Sequence, residues 1–157
     1  MIQLLTTIGM AASLMAPQNA TAPKACSLFT KAEVKKITGT DDPVFNMVPP
    51  REEPLGAGSA CFYSGIVLQV DPFSAAGLEA NRQKNGANWE TVAGIGDKAY
   101  VRVNKNPGAG LHVVELYSTV GARVFTIQMS VRPADAPSDS VRPALLSLAK
   151  AMAAKLR

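Results

Sequence analysis

The chain contains a single histidine, His112, the residue type best suited to acid–base chemistry near neutral pH. A nucleophile relay would need a Ser or Cys beside this imidazole and an acid behind it. No nucleophile motif such as G-x-S-x-G occurs in the sequence. His112 instead shares one face of a strand pattern with Val114 and Leu116, where a lone histidine is more often a partly buried, hydrogen-bonded residue. We therefore predict no catalytic residues.

Cys26 and Cys61 are the two cysteines of the chain. In an exported chain such a pair is best interpreted as a disulfide. Closing a loop of about 35 residues would contribute about 3–4 kcal/mol in the chain-entropy model. Two buried thiols become the better interpretation if the chain is not exported. Because two cysteines and one distant histidine do not supply the four ligands of a structural zinc site, we predict no metal.

The first 22 residues have the pattern of a secretory signal peptide. The apolar stretch Leu4–Met15 precedes Ala20 and Ala22, which supply small residues at the −3 and −1 positions of a cleavage site. This stretch is shorter than the roughly 20 residues that cross a bilayer. No Lys or Arg precedes Lys24, so the positively charged n-region of a signal peptide is absent, and Pro23 would follow the cut. A buried helix or a frayed tail is the alternative. We predict a signal peptide over 1–22, one domain over 23–157, no transmembrane segment, and a periplasmic or extracellular location.

The charge distribution does not indicate a nucleic-acid partner. Sixteen basic and 12 acidic residues give a net charge of +4, and the basic residues are dispersed rather than interleaved with aromatic ones. A phosphate-binding role for Gly94-x-Gly96 fails on context, because the glycines precede a strand and no third Gly follows. We interpret them as residues that permit positive φ in a turn, and we predict no cofactor.

Three helices are predicted. Thr30 and Glu33 form a capping box that begins a helix over Lys31–Ile37, which ends at Gly39. A second helix over Phe73–Lys84 has a narrow apolar stripe. A closing helix begins at Ser138 or Ser140 and runs to Leu156. Its apolar residues recur at helical spacing: Val141, Leu145, Leu148, Ala149, Met152 and Leu156.

The strands are predicted from alternation of apolar and polar residues. They are Val44–Val48, Cys61–Tyr63, Ile66–Val70, Lys98–Val103, Leu111–Thr119 and Arg123–Val131. Pro49–Ser59 and Asn104–Gly110 are predicted loops. In the last strand Phe125, Ile127, Met129 and Val131 form one apolar face, which predicts a sheet covered on a single side. The predicted fold class is α+β, with an antiparallel sheet, helices mainly on one face, and the order α-βββ-α-βββ-α.

Several short motifs resemble a broad group of small exported bacterial proteins of unknown function, many of them lipoproteins. The first motif is Cys26 followed by a helix start that contains Leu28, Thr30, Glu33 and Val34. The second is a Cys-x-Tyr strand, with Cys61 and Tyr63. The third is Val-x-Gly-Ile-Gly-Asp-x-Ala-Tyr over Val92–Tyr100. The resemblance implies an exported α+β domain with a disulfide and carries over no catalytic residues. The chain lacks the lipid-attachment context around its first cysteine.

Three hypotheses for function follow. The first is a non-enzymatic exported protein that binds a partner or small ligand through the two predicted loops or the open sheet face, with Trp89, His112 and Tyr117 as the candidate binding surface. The second is a hydrolase in which Asp97, His112 or Glu115 meets a Ser. The third is a protein associated with the cell envelope or a membrane surface. The sequence does not specify a ligand, a partner or an oligomeric state.

Overall fold

A computed structural model describes residues 22–40, 47–84, 88–106, 110–132 and 138–157. Seven strands form one antiparallel sheet in the order β1-β2-β3-β7-β6-β5-β4. The strands are β1 (Arg51–Leu55), β2 (Gly58–Tyr63), β3 (Ile66–Val70), β4 (Glu90–Val92), β5 (Lys98–Asn106), β6 (Leu111–Val120) and β7 (Arg123–Val131). The helices are α1 (Ala25–Leu28), α2 (Lys31–Thr38), α3 (Ala75–Lys84) and α4 (Arg142–Leu156), which follows a 3-10 turn at Ser138–Val141.

The main hydrophobic core lies between α4 and one face of the sheet. Leu145, Leu148 and Met152 of α4 are fully buried in one cluster with Leu116 of β6 and Ile127 of β7. Leu116 and Ile127 are directly opposite each other, so their side chains share this face. The predicted stripe of the closing helix is confirmed, and each of its buried Leu and Met side chains contributes roughly 1.5–3 kcal/mol.

The capping box at the start of α2 is also confirmed. Thr30 Oγ1 accepts a hydrogen bond from the Glu33 amide at 3.2 Å, and Glu33 Oε2 accepts one from the Thr30 amide at 2.7 Å. The Thr30 amide and the Lys155 ammonium together lower the pKa of Glu33 to about 2. Gly39 ends the helix in the left-handed conformation, with φ of 67°. The ion pair to Lys155 at 3.0 Å ties α2 to the last turn of α4.

The predicted disulfide between Cys26 and Cys61 is confirmed, with the two Cα atoms 4.9 Å apart. It joins α1 to β2. Beside it, the Glu52 carboxylate accepts hydrogen bonds from the amides of Ala25 at 2.9 Å and Cys26 at 2.7 Å. The Ser59 hydroxyl accepts a second bond from the Ala25 amide at 2.7 Å. These contacts satisfy amides at the start of α1 that have no partner within the helix.

The second face of the sheet is partly covered, which corrects the predicted one-sided arrangement. Leu78 of α3 is buried against Tyr117 and Val124, and Phe73 and Trp89 pack around them. The narrow apolar stripe of this helix is consistent with its position over one end of the sheet. The prediction of an antiparallel sheet with helices is confirmed, and three of the four helices join the core on the other face.

The predicted loop Pro49–Ser59 contains β1 and the start of β2, so this prediction is wrong. β1 pairs with β2 in a register that places Arg51 opposite Phe62 and Pro54 opposite Ser59. Adjacent acids and prolines obscure the strand pattern in the sequence. An edge strand tolerates proline because a missing N–H on its outer side interrupts no ladder.

The predicted order of elements is not matched in detail. The short helix α1 and the three-residue strand β4 were not predicted, so four strands follow α3 rather than three. Residues 104–106 belong to β5 rather than to a hairpin loop. Several predictions lie outside the described residues: the segment 1–21, most of the strand Val44–Val48, and the loop residues 107–109. Within the described ranges, no helix is long and apolar enough to cross a membrane.

The turn before β5 is held by hydrogen bonds to the β6–β7 hairpin. Gly94 and Gly96 have φ of 77° and 56°, which confirms their predicted conformations. The Asp97 amide donates to the Thr119 carbonyl at 2.7 Å, and Asp97 Oδ2 accepts from the Gly121 amide at 2.6 Å. The turn therefore docks on the β6–β7 hairpin.

These two glycines provide a matched pair of substitutions. A Cβ atom at Gly96 would lie 2.2 Å from the Thr119 carbonyl oxygen, whereas one at Gly94 would meet nothing within 4 Å. We expect Gly94→Ala to cost about 1 kcal/mol, from positive φ alone. Gly96→Ala should cost about 3 kcal/mol or more, because the backbone must also shift. Urea unfolding measures both, and equal losses would contradict the close approach at Gly96.

Candidate functional site

The outer edge of β5 is covered over only part of its length. β4 pairs with residues 99–101 of β5. Among the described residues no strand pairs with residues 102–106 on that side. Alternate residues of an antiparallel strand direct both N–H and C=O to the same edge, so this stretch presents backbone donors and acceptors. A groove of about 680 Å³ lies beside it.

Trp89, the residue before β4, packs on the face of the sheet opposite the main core. The chain reaches β4 from α3, which lies over the face opposite the main core. The Trp89 ring therefore lies on that face, 4.4 Å from the Arg102 guanidinium carbon and 4.7 Å, edge-on, from the Tyr117 ring.

The groove has a mixed but net basic lining. Its basic side chains are Arg102, Lys105 and Arg142, and its acidic ones are Glu90 and Asp139. Arg142, at the start of α4, pairs with Glu90 of β4 at 2.5 Å. The hydrogen bond from Arg142 lowers the pKa of Glu90 below its ordinary value. This pair connects the elements on the two sides of the groove.

Arg102 is held in place by a buried carboxylate. Its Nε lies 2.6 Å from Glu115 Oε2, and the side chains of the pair are 16% and 9% exposed. Gln128 donates to the other carboxylate oxygen of Glu115 at 3.3 Å. The Trp89 ring covers the guanidinium on its open side. Arg102 is thus a fixed part of the groove wall, with its charge largely compensated.

Two of the three residues predicted as a binding surface come together here. Tyr117 is buried, and burial together with the nearby Glu115 carboxylate raises its pKa. Trp89 is half-buried, and its indole Nε1 is buried without a hydrogen-bond partner in the described part of the chain. Both rings support the wall behind Arg102 rather than form an open aromatic surface.

His112 lies on the other face of the sheet. It is opposite Val131 and Lys105, on the side that α4 covers. Its Nδ1 lies 2.5 Å from Ser138 Oγ in the 3-10 turn. The structure therefore brings His112, but neither Asp97 nor Glu115, to a serine hydroxyl. Asp97 binds the Gly121 amide, and Glu115 binds Arg102 through the opposite face.

One group of side chains in the described ranges has metal-ligand proximity, namely Cys26, Glu52 and Cys61. Both sulfur atoms are bonded to each other in the disulfide. The Glu52 carboxylate is occupied by two backbone amides. In this oxidised form the group is a structural cluster that anchors α1.

Sequence reasoning missed the groove residues Glu90, Lys105, Asp139 and Arg142. They come from four separate elements, and none belongs to a recognisable motif. One feature of the sequence points to the groove: the segment Trp89-Glu90-Thr91-Val92, which contains β4, is too short to pair with the whole of the strand that follows it, β5. Comparisons of the chain with protein-family models, with curated proteins and with solved structures found no match.

The Arg102–Glu115 pair predicts a strong energetic coupling. Arg102→Met or Glu115→Leu alone leaves one buried charge uncompensated and should cost about 3 kcal/mol. The double variant Arg102→Met/Glu115→Leu should cost at least about 1 kcal/mol less than the sum of the single losses. Urea unfolding of the four proteins measures the coupling.

The pair Arg82–Glu79 is a suitable control. Its atoms are also 2.6 Å apart, but the side chains are 33% and 42% exposed. We expect a coupling of about 0.5 kcal/mol or less for this exposed pair. Equal couplings for the two pairs would show that burial does not strengthen the Arg102–Glu115 contact.

Proposed function

We propose that the protein is an exported, non-enzymatic binding domain that takes up an extended peptide segment along the open edge of β5. The observation that carries the proposal is the groove of about 680 Å³ beside residues 102–106, which β4 leaves without a paired strand. An exposed strand edge recognises extended peptides through main-chain hydrogen bonds, while pockets beside it select alternate side chains.

Export is supported by the disulfide between Cys26 and Cys61. Disulfides persist in oxidising compartments and are rare in the cytosol. The signal peptide predicted over residues 1–22 belongs to the same proposal.

The charges beside the edge favour an acidic peptide. Arg142 and Glu90 form an ion pair, and Arg102 is compensated by Glu115. Lys105 is exposed at the end of the open stretch, and no ion pair of its ammonium is present among the described residues. An acidic side chain at the matching position of a peptide would complement it, with a gain mainly in specificity and association rate.

The same charges disfavour a second copy of this chain as the occupant. Pairing two β5 edges would place Lys105 of both copies, each without an ion pair among the described residues, on the same short stretch of paired edge. Charged side chains, lysine above all, are a common means of preventing such edge-to-edge pairing. The proposed partner is therefore a different polypeptide.

A peptide selection tests this function. A random linear library displayed on phage is selected against the disulfide-bonded protein, and enriched peptides are synthesised and their affinities measured. We expect acidic peptides to be enriched and the amides of residues 102–106 to gain protection from hydrogen exchange on binding. Lys105→Glu should weaken binding about tenfold, which corresponds to about 1.4 kcal/mol.

Lys98→Glu is the matched control, because Lys98 is an exposed lysine of the same strand that does not line the groove. It should change affinity by less than about twofold, as expected of a remote surface charge under moderate salt. Failure to enrich any peptide, or equal losses from both variants, would contradict the proposal.

A hydrolase is the second candidate, and one contact favours it: the 2.5 Å approach of His112 Nδ1 to Ser138 Oγ. A nucleophile relay also needs an acid that orients the imidazole. Within the described residues no carboxylate is hydrogen-bonded to His112, and the predicted acids Asp97 and Glu115 bind elsewhere. The contact fits a structural tie between β6 and the 3-10 turn. An inert result in a broad hydrolase screen would remove this candidate.

A further inference from the structure

A second cavity lies at the opposite edge of the sheet, between residues 48–50 and the β2–β3 hairpin. It is a cleft of about 550 Å³. Its walls include Val48, Pro50, Phe62 and Val67, and Arg51 is the one charged residue among those described that line it. A size of this order is typical of small-molecule sites.

The rim of this cleft exposes apolar side chains. Met47 is 73% exposed and Val48 is 46% exposed, and they are the large hydrophobic residues that are exposed in the described part of the chain. Apolar surface concentrated at one point marks an interaction site more often than apolar residues scattered singly.

The backbone at this edge is unsuited to a peptide strand. Pro54 of β1, and Pro49 and Pro50 just before this strand, have no N–H to donate, so a strand added along this edge would meet fewer donors. A ligand that does not depend on main-chain hydrogen bonds is better suited to such a surface. An aliphatic chain meets this requirement.

Arg51 supplies the polar end of the site. Its guanidinium carbon lies 5.3 Å from the centre of the Phe62 ring, and its side chain is 71% exposed. Its ion pair with Glu53, at 2.8 Å, is also largely exposed and therefore weak. Lys31 lies at the same rim, where its ammonium donates to the Val48 carbonyl at 2.9 Å. Two cations thus lie beside an apolar cleft.

We propose that this cleft binds a single-chain anionic amphiphile of the fatty-acid class. The chain lies against Val48, Pro50 and Phe62, and the head group pairs with Arg51. This site is separate from the β5 groove and does not depend on the proposed peptide-binding function.

Three probes with defined chemistry test the ligand class by titration calorimetry on the disulfide-bonded protein, below the critical micelle concentration of each. Laurate should bind with a stoichiometry of one. Decanoate should bind about 3- to 15-fold more weakly, because it buries up to two fewer methylene groups. Dodecyltrimethylammonium, with the same chain and the opposite charge, should bind at least about tenfold more weakly than laurate.

Substitutions at neighbouring positions test the location. Val48→Glu adds a carboxylate to the cleft wall and should weaken laurate binding at least about tenfold. Ala80→Glu is the control, since Ala80 is an exposed residue of α3 that does not line the cleft; it should change affinity less than about twofold. Arg51→Gln should weaken laurate binding about three- to fivefold, the scale of an exposed ion pair.

Three results would overturn the inference. The first is equal binding of laurate and dodecyltrimethylammonium, which would remove the role of the cation. The second is an equal effect of Val48→Glu and Ala80→Glu, which would place the ligand outside the cleft. The third is binding to vesicles that contain anionic lipid without binding to monomeric laurate, which would indicate a membrane surface instead.

Discussion

The covalent bond between Cys26 and Cys61 is the constraint on which the N-terminal half of the structure depends. It attaches α1, a helix too short to be stable alone, to a central position of β2. Further hydrogen bonds join the segment around α1 to β2 and to α4. Tyr63 donates to the Phe29 carbonyl at 2.7 Å, and burial raises its pKa to about 12. Lys155 donates to the Leu28 carbonyl at 2.5 Å, so the last helix is joined to the first.

The two edges of the sheet differ in the backbone hydrogen-bonding groups they present, and each candidate site lies beside one of these edges. At β1, Pro54 lacks an N–H, and Pro49 and Pro50 before this strand line an apolar cleft beside the β2–β3 hairpin. At β5, the edge keeps its donors and acceptors, and the short strand β4 covers only part of it. A sheet edge must be covered, interrupted or charged to avoid unwanted pairing. In this protein the β1 edge contains a proline, and the uncovered stretch of the β5 edge carries the charged residue Lys105.

Local patterns predicted the local structure well. The capping box at Thr30 and Glu33, the strands Ile66–Val70 and Arg123–Val131, and the stripe of α4 all depend on residues close together in the chain. β1 was missed because its two acids and Pro54, directly after Pro49 and Pro50, have the composition of a loop, and only pairing with β2 makes this segment a strand.

The candidate sites could not be predicted from the sequence. The groove combines side chains from β4, β5, the 3-10 turn and α4, and it exists because β4 ends before β5 does. The contact of His112 with Ser138 likewise joins residues 26 positions apart through the return of the chain from β7. Contacts of this kind depend on tertiary packing, and they produce no repeating pattern of apolar and polar residues in the sequence.

Intact-mass spectrometry under non-reducing conditions tests the central claim, that an oxidised crosslink holds together an exported module. The full chain is expressed in a bacterial host and recovered from outside the cytoplasm. The account predicts the mass of residues 23–157 less two hydrogens, with a gain of two hydrogens on reduction. Recovery of the uncleaved chain from the cytoplasm with two free thiols would contradict it.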